Sequence, residues 1–218
     1  MHHNVTQKEC KRCGKCCIAG GPALHIEDRG LVVAGRLRPS DLVTLRRGEP
    51  AYDPVNRRVV FLEEEMIKLR GHGKIGACIF YDANGNSCAI YQWRPLECRV
   101  LKCWDTSDLE GVYMRNLLKR NHLIPEGSTL ARLIKKYEEV LCIKHFASTL
   151  VDCSKGGGHV ATKLQGHIDR DFAFRRAVIK DFSVPEEYLD FFFGRPLRDI
   201  IVPMIDDSGK LDHRNENE

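Results

Sequence analysis

Nowhere in this chain of 218 residues does an apolar run approach the ~20 residues that a membrane-spanning helix needs. Met1–Lys8 has no apolar h-region, so no secretory signal is expected there, and the expected compartment is the reducing cytoplasm. Phosphate-cradling, dinucleotide-binding and nucleophile-elbow motifs are all missing. A concentrated basic stripe is missing too. The formal net charge is only +4, and Arg36, Arg38, Arg46, Arg47, Arg57, Arg58 and the stretch from Lys163 to Lys180 alternate with acids. That spread describes solvated faces better than a nucleic-acid footprint, so nucleic acid is not an expected partner.

Cysteine, by contrast, is abundant, with ten residues. Four open the chain in a C-x2-C-x2-C-C block at Cys10, Cys13, Cys16 and Cys17, and four follow at Cys78, Cys88, Cys98 and Cys103. A chain of this length can bury a core without covalent staples, and a reducing compartment disfavours disulfides. Thiolates at this density therefore read as metal ligands.

The block copies the first three ligands of a bacterial ferredoxin run, then replaces the fourth with the adjacent Cys17. A continuous helix would put Cys10, Cys13 and Cys17 on one face; a ferredoxin-like loop, which Gly14 permits, would converge Cys10, Cys13 and Cys16. In either case one sulfur points elsewhere. Cys98 and Cys103 are five residues apart and share a site only if the helix between them breaks. Eight thiolates divide into two four-thiolate centres, or into one centre with spare thiols; two centres are the expectation. Zinc and iron–sulfur clusters both accept four thiolates. The ferredoxin-like spacing favours at least one 4Fe–4S cluster, with zinc as the alternative or an addition. Arg94, Arg99 and Lys102 flank Cys98, where positive charge would offset thiolate charge, or would pair with Glu97 or Asp105 at the surface. Tyr91 and Trp93 are placed to wall such a site from water.

Other candidates have plainer roles. Cys142 and His145 share a helix face but read as core and flank, and Cys153 as a buried thiol. His2 and His3 belong to a loose terminus; His72, between two glycines, reads as a loop residue. Phe191-Phe192-Phe193 reads as core.

The fold expected is α+β, mostly α: a cysteine-rich metal-binding part over 1–105 with short strands, a helical part over 106–205 packed on it, and a polar tail over 206–218. Ala23–Gly35 suggests a short helix stopped by Gly35, and Ser40-Asp41 caps a turn running to Gly48. Residues 57–62 and 66–69 read as a hairpin or a pair of short strands, 77–81 as a strand, and Asn84-Gly85 as a turn. Arg94-Pro95 starts a short helix. Residues 108–123, 129–150 and 159–182 carry helical periodicity; Leu130, Leu133, Ile134, Tyr137, Leu141 and His145 line one face of the second. Pro185-Glu186-Glu187 opens another short helix.

The cysteine block with Cys78-Ile79-Phe80 and the run Cys88-x-Ile90-Tyr91-x-x-Arg94-Pro95-x-x-Cys98-Arg99 resembles the CxxCxxCC, or YkgJ-type, cysteine cluster family, labelled zinc- or iron-chelating. The resemblance covers residues 10 to about 103 and implies metal chelation. After Arg99 the chain has Val100-Leu101-Lys102-Cys103 where family members often have Phe-Pro, so Cys103 departs from the pattern. One branch of similar proteins includes flagellin lysine methylases, but nothing in the helical half carries that activity over. The expected function is an iron–sulfur, or mixed iron–sulfur and zinc, protein serving redox or radical chemistry or the maturation of another protein, with a protein partner or substrate. The alternative is a zinc-stapled interaction module without catalysis.

Overall fold

The structure, a computed structural model, describes residues 7, 9–53, 55–73, 76–143 and 158–201, with the side chains of the last stretch described from 164 to 200. The protein is α+β with helix predominating, short antiparallel strands in the N-terminal half and helices in the C-terminal half. The chain forms two compact units: residues 1–42 with 67–118, and residues 43–66 with 119–218. Among the described residues no helix is long and apolar enough to cross a membrane.

The first unit has little regular structure. Its helices are α1 (Lys15–Ile18), α2 (Arg29–Val33), α3 (Leu96–Val100) and α4 (Ser107–Val112). Its small antiparallel pairs join Gly71–His72 to Ala77–Cys78, and Tyr81–Asp82 to Ser87–Cys88. Ala23–Leu24 runs through the middle: Leu24 N donates to Ile67 O at 2.8 Å, and Leu118 N to Leu24 O at 2.8 Å. Leu24, Leu37, Leu69, Ile90 and Leu118 are buried around it.

The second unit carries α5 (Thr129–Val140), α6 (Gly158–Phe182), α7 (Leu189–Phe193) and α8 (Leu197–Ile201). Ser128 caps α5, its hydroxyl accepting from Ala131 N at 3.1 Å. Tyr137 on α5 is fully buried, with its ring 5.1 Å from both Phe174 and Phe193. Leu141 is buried on the same face, and Phe191, Phe192 and Phe193 are core, as expected.

Charge is buried with the aromatics. The Tyr137 hydroxyl donates to Asp171 Oδ1 at 2.7 Å and accepts from Arg175 Nη2 at 3.1 Å. Arg175 Nε also reaches Asp171 Oδ1, at 2.8 Å, and Leu197 N donates to Asp171 Oδ2, at 2.7 Å. Arg46, wholly buried, lies 4.8 Å over the Tyr137 ring and donates to Leu141 O at 3.1 Å. Arg120 joins Glu65 and Glu138 at 2.5 and 2.7 Å. Each of these buried charges thus has a partner, the condition under which burial is tolerable.

Several elements differ from the sequence expectation. Residues 58–61 pair with Pro50–Asp53, not with 66–69. The turn between them is built by Asp53, whose Oδ1 accepts from Val55 N and Asn56 N, followed by Arg57 in the left-handed region. The turn at Ser40-Asp41 ends at Asp41, because its carboxylate caps backward onto Arg38 N at 2.8 Å and strand Leu42–Leu45 begins. The helix read over 108–123 stops at Val112: Met114 and Asn116 have positive φ, and Asn116 O accepts from Ile26 N instead. The Asn84-Gly85 turn, the Pro95 start and the Gly35 stop appear where expected. Residues 144–157 and 202–218, with His145, Cys153 and the polar tail, lie outside the described residues, as do His2 and His3.

Tyr137→Phe removes one donor from Asp171 and one acceptor from Arg175 while leaving ring packing intact. A loss of about 1–2 kcal/mol is expected, read as a lower urea midpoint at unchanged m-value.

Candidate metal centre

The cysteine block is neither one helix nor one loop. Residues 10–13 are irregular, Arg12 has φ 51°, Gly14 has φ 73°, and only then does α1 begin. Gly14 is needed twice over. Its left-handed backbone strains other residues, and a Cβ there would overlap the Tyr81 hydroxyl and crowd Asn86 Oδ1 at 2.6 Å. The Tyr81 hydroxyl donates to Asn86 Oδ1 at 2.6 Å, so the hairpin ending in Cys88 seats the turn that launches Cys16 and Cys17.

This break at Gly14 sorts the sulfurs. Burial pushes the Cys17 thiol up to about 12, with the charges of Cys16, Cys88 and Cys78 adding to the shift. Burial likewise pushes Cys98 well up, followed by the charges of Cys78, Cys17, Cys88 and Cys16. Cys78 is raised by burial first, then by Cys88 and Cys16, against a backbone hydrogen bond to Phe80. Helix α1, which carries Cys16 and Cys17, packs against the strand Ala77–Cys78, and the neighbouring hairpin ends in Cys88.

Cys10, Cys13, Cys16 and Cys103 are exposed. Cys10 Sγ accepts from Arg12 N at 3.4 Å, and Cys103 Sγ from Gln7 Nε2 at 3.6 Å. Helix α3 ends at Val100 and Leu101 is extended, so the break that a shared site for Cys98 and Cys103 needs is present; Cys98 is half-buried and Cys103 exposed. The nine described cysteines are free thiols. Among the described residues no group of three His, Cys, Asp or Glu side chains already stands close enough to share one ion.

The chemistry of the donor set nevertheless fits a thiophilic ion. Cys17, Cys78 and Cys98, which burial and neighbouring sulfur favour as neutral thiols, resist becoming anions together, and a bound cation reverses that balance outright. The nearby side-chain cations are engaged elsewhere. Arg99 reaches Asp28 Oδ1 at 3.7 Å, and Lys102 reaches Asp108 at 2.5 Å. Arg94 stacks 3.7 Å over the Tyr91 ring, Arg12 lies 4.5 Å from the same ring, and the buried Nε of Arg94 makes no hydrogen bond. Trp93 packs edge-on against Phe80 at 6.2 Å.

His72 is exposed on its short strand, and Cys142 is half-buried in the second unit. Sequence reasoning missed His25 and Asp28, both fully buried beside α3, and the structural role of Glu97. Glu97 directly precedes Cys98. His25 and Asp28 stand in the cap and third positions of a helical turn, a spacing that was legible but unassigned.

Gly14→Ala combines left-handed strain with overlap at Tyr81 and is expected to cost about 2–3 kcal/mol. Thermal unfolding checks this, and adding Tyr81→Ala should recover the overlap part but not the strain.

No curated protein and no solved structure matches the chain. Residues 9–116 do match a family model, that of CxxCxxCC, described as a "putative zinc- or iron-chelating domain". Through this segment, which takes in the block, the signature around Cys88–Arg99 and all eight clustered cysteines, the chain belongs to the CxxCxxCC family.

Proposed function

We propose that this protein is a metal–thiolate protein whose principal centre draws its ligands from Cys16, Cys17, Cys78, Cys88 and Cys98, with Cys10, Cys13 and Cys103 forming an outer, solvent-facing set. The observation that carries the reading is the packing of α1, with Cys16 and Cys17, against the strand Ala77–Cys78, together with the rise of Cys17, Cys78 and Cys98 through burial and neighbouring sulfur. Five thiols exceed the four that zinc or a 4Fe–4S cluster takes, so one is spare or shared with the outer set.

A 4Fe–4S cluster is the favoured occupant, on the ferredoxin-like spacing of the block; it would take Cys10 and Cys13 of the outer set together with Cys16, and would supply one-electron chemistry when bound. Such a protein would serve redox or radical chemistry or the maturation of a protein partner, in the reducing cytoplasm. Around the site the chain's own residues shield and orient. Tyr91, with Arg94 stacked on it, covers the signature turn, and Arg99 fixes α3 through Asp28.

The second reading is a zinc-stapled interaction module. It is favoured by the two-residue strand pairs of the first unit, which leave much of its order to be supplied by cross-links.

Anaerobic purification with iron, zinc and sulfide analysis decides between them. Iron and sulfide with a visible absorption that dithionite bleaches support the cluster; zinc alone, whose removal by chelator unfolds the chain, supports the module. Protein that carries neither metal and keeps its fold overturns both. Cys98→Ser is expected to remove at least half of the bound metal and to lower Tm, Cys13→Ser to lower metal content, and Cys142→Ser to change neither, all by elemental analysis of the purified variants.

A further inference from the structure

Three side chains with no part in ligation converge on the helix that carries Cys98. Helix α3 has five residues, too few to hold an orientation on its own. Its Leu96 N donates to Asp28 Oδ1 at 2.9 Å, and the other oxygen of the same carboxylate accepts from His25 N at 3.0 Å. Glu97 returns the contact: its Oε2 accepts from Ala23 N at 2.9 Å, and its Oε1 faces His25 Nε2 at 3.4 Å. His25 Nδ1 lies 2.7 Å from Arg115 O. A carbonyl accepts, so Nδ1 carries a proton, and the hydrogen bond to Glu97 raises the pKa of the ring against its burial, favouring the protonated form. With Arg99 at 3.7 Å from Asp28, two cations balance two carboxylates, and every member is bonded.

We propose that His25, Asp28 and Glu97 are positioning residues for Cys98, a reading that rests on the metal–thiolate assignment above. The segment from Ala23 to Asp28 is joined to the cysteine block through Ile18–Pro22, where Gly20 N donates to Cys17 O at 3.2 Å and Pro22 O accepts from Leu69 N at 3.0 Å. A clamp between that segment and α3 therefore sets where the Cys98 sulfur stands relative to Cys16 and Cys17. A fully satisfied buried network has few alternative arrangements, so it holds the sulfur in one place before any ion arrives. Such support around ligands is commonly worth about 10–100-fold in metal affinity.

The test uses the full chain, purified anaerobically, with Asp28→Ala, Asp28→Asn, Glu97→Ala and His25→Gln. Asp41→Ala is the control: Asp41 is also a buried carboxylate of the same unit, but it caps Arg38 N and does not touch α3. One readout is the thiolate-to-metal absorption after cobalt(II) loading; the other is the alkylation rate of each cysteine by iodoacetamide, resolved by peptide mass spectrometry without added metal. Asp28→Ala and Glu97→Ala should weaken or shift the cobalt band and raise Cys98 alkylation at least tenfold relative to Cys13 in the same molecule. Asp28→Asn, which keeps one oxygen for Leu96 N but turns an amide N–H toward His25 N, should recover part of the loss. His25→Gln should move both readouts in the same direction by less, so the series stays decisive if an alanine variant does not fold. Unchanged Cys98 alkylation in the Asp28, Glu97 and His25 variants overturns the proposal, as does an equal change in Asp41→Ala. Failure of the parent protein to take up cobalt overturns the metal assignment instead, while the alkylation series still judges the clamp.

Discussion

Backbone N–H groups left over by short strands and one-turn helices must still be satisfied, and here buried or half-buried carboxylates accept many of them. In the first unit Asp28 takes Leu96 N and His25 N, Glu97 takes Ala23 N, and Asp41 takes Arg38 N. In the second, Glu49 takes Arg46 N, Glu65 takes Arg120 N, Asp171 takes Leu197 N, and Asp53 closes its hairpin turn. An unpaired buried N–H costs about as much as a lost hydrogen bond, so these acceptors do for irregular chain what a ladder does for a sheet. Because each carboxylate brings charge inside, arginines follow: Arg99, Arg120, Arg175 and Arg195 each meet one.

The same device explains what was legible in the sequence. Features set by local chemistry could be read: the Pro95 start of α3, the turn at Asn84-Gly85, the stop at Gly35 and the apolar face of α5 through Tyr137 and Leu141. Features set by a distant acceptor could not. Nothing near Arg58–Phe61 says that its partner is Pro50–Asp53 until Asp53 is seen to fold the turn. Periodicity through 108–123 gives no warning that Asn116 O is claimed by Ile26 N, which ends the helix early.

For the candidate site, residue types were legible and grouping was not. The spacing named eight cysteines, and the family model spans the same stretch. Which of them are exposed (Cys10, Cys13, Cys16 and Cys103) and which are wholly or partly buried depends on the backbone reversal at Gly14 and on the end of α3 at Val100, which no periodicity rule fixes. His25 and Asp28 escaped notice because each, taken singly, reads as an ordinary polar residue before a short helix; only burial reveals them.

The clamp on Cys98 also constrains biogenesis. Its hydrogen bonds span 68 to 90 residues, from Asp28 to Leu96 and from His25 to Arg115. Loops of that size close late, since chain entropy must be surrendered before the contact rewards it. A nascent chain leaving the ribosome therefore exposes the first four thiols long before the carbonyl of Arg115 exists to complete the arrangement. Any ion held by the finished site must either wait until the chain has been synthesised past Arg115 or be handed over from thiols that emerged first.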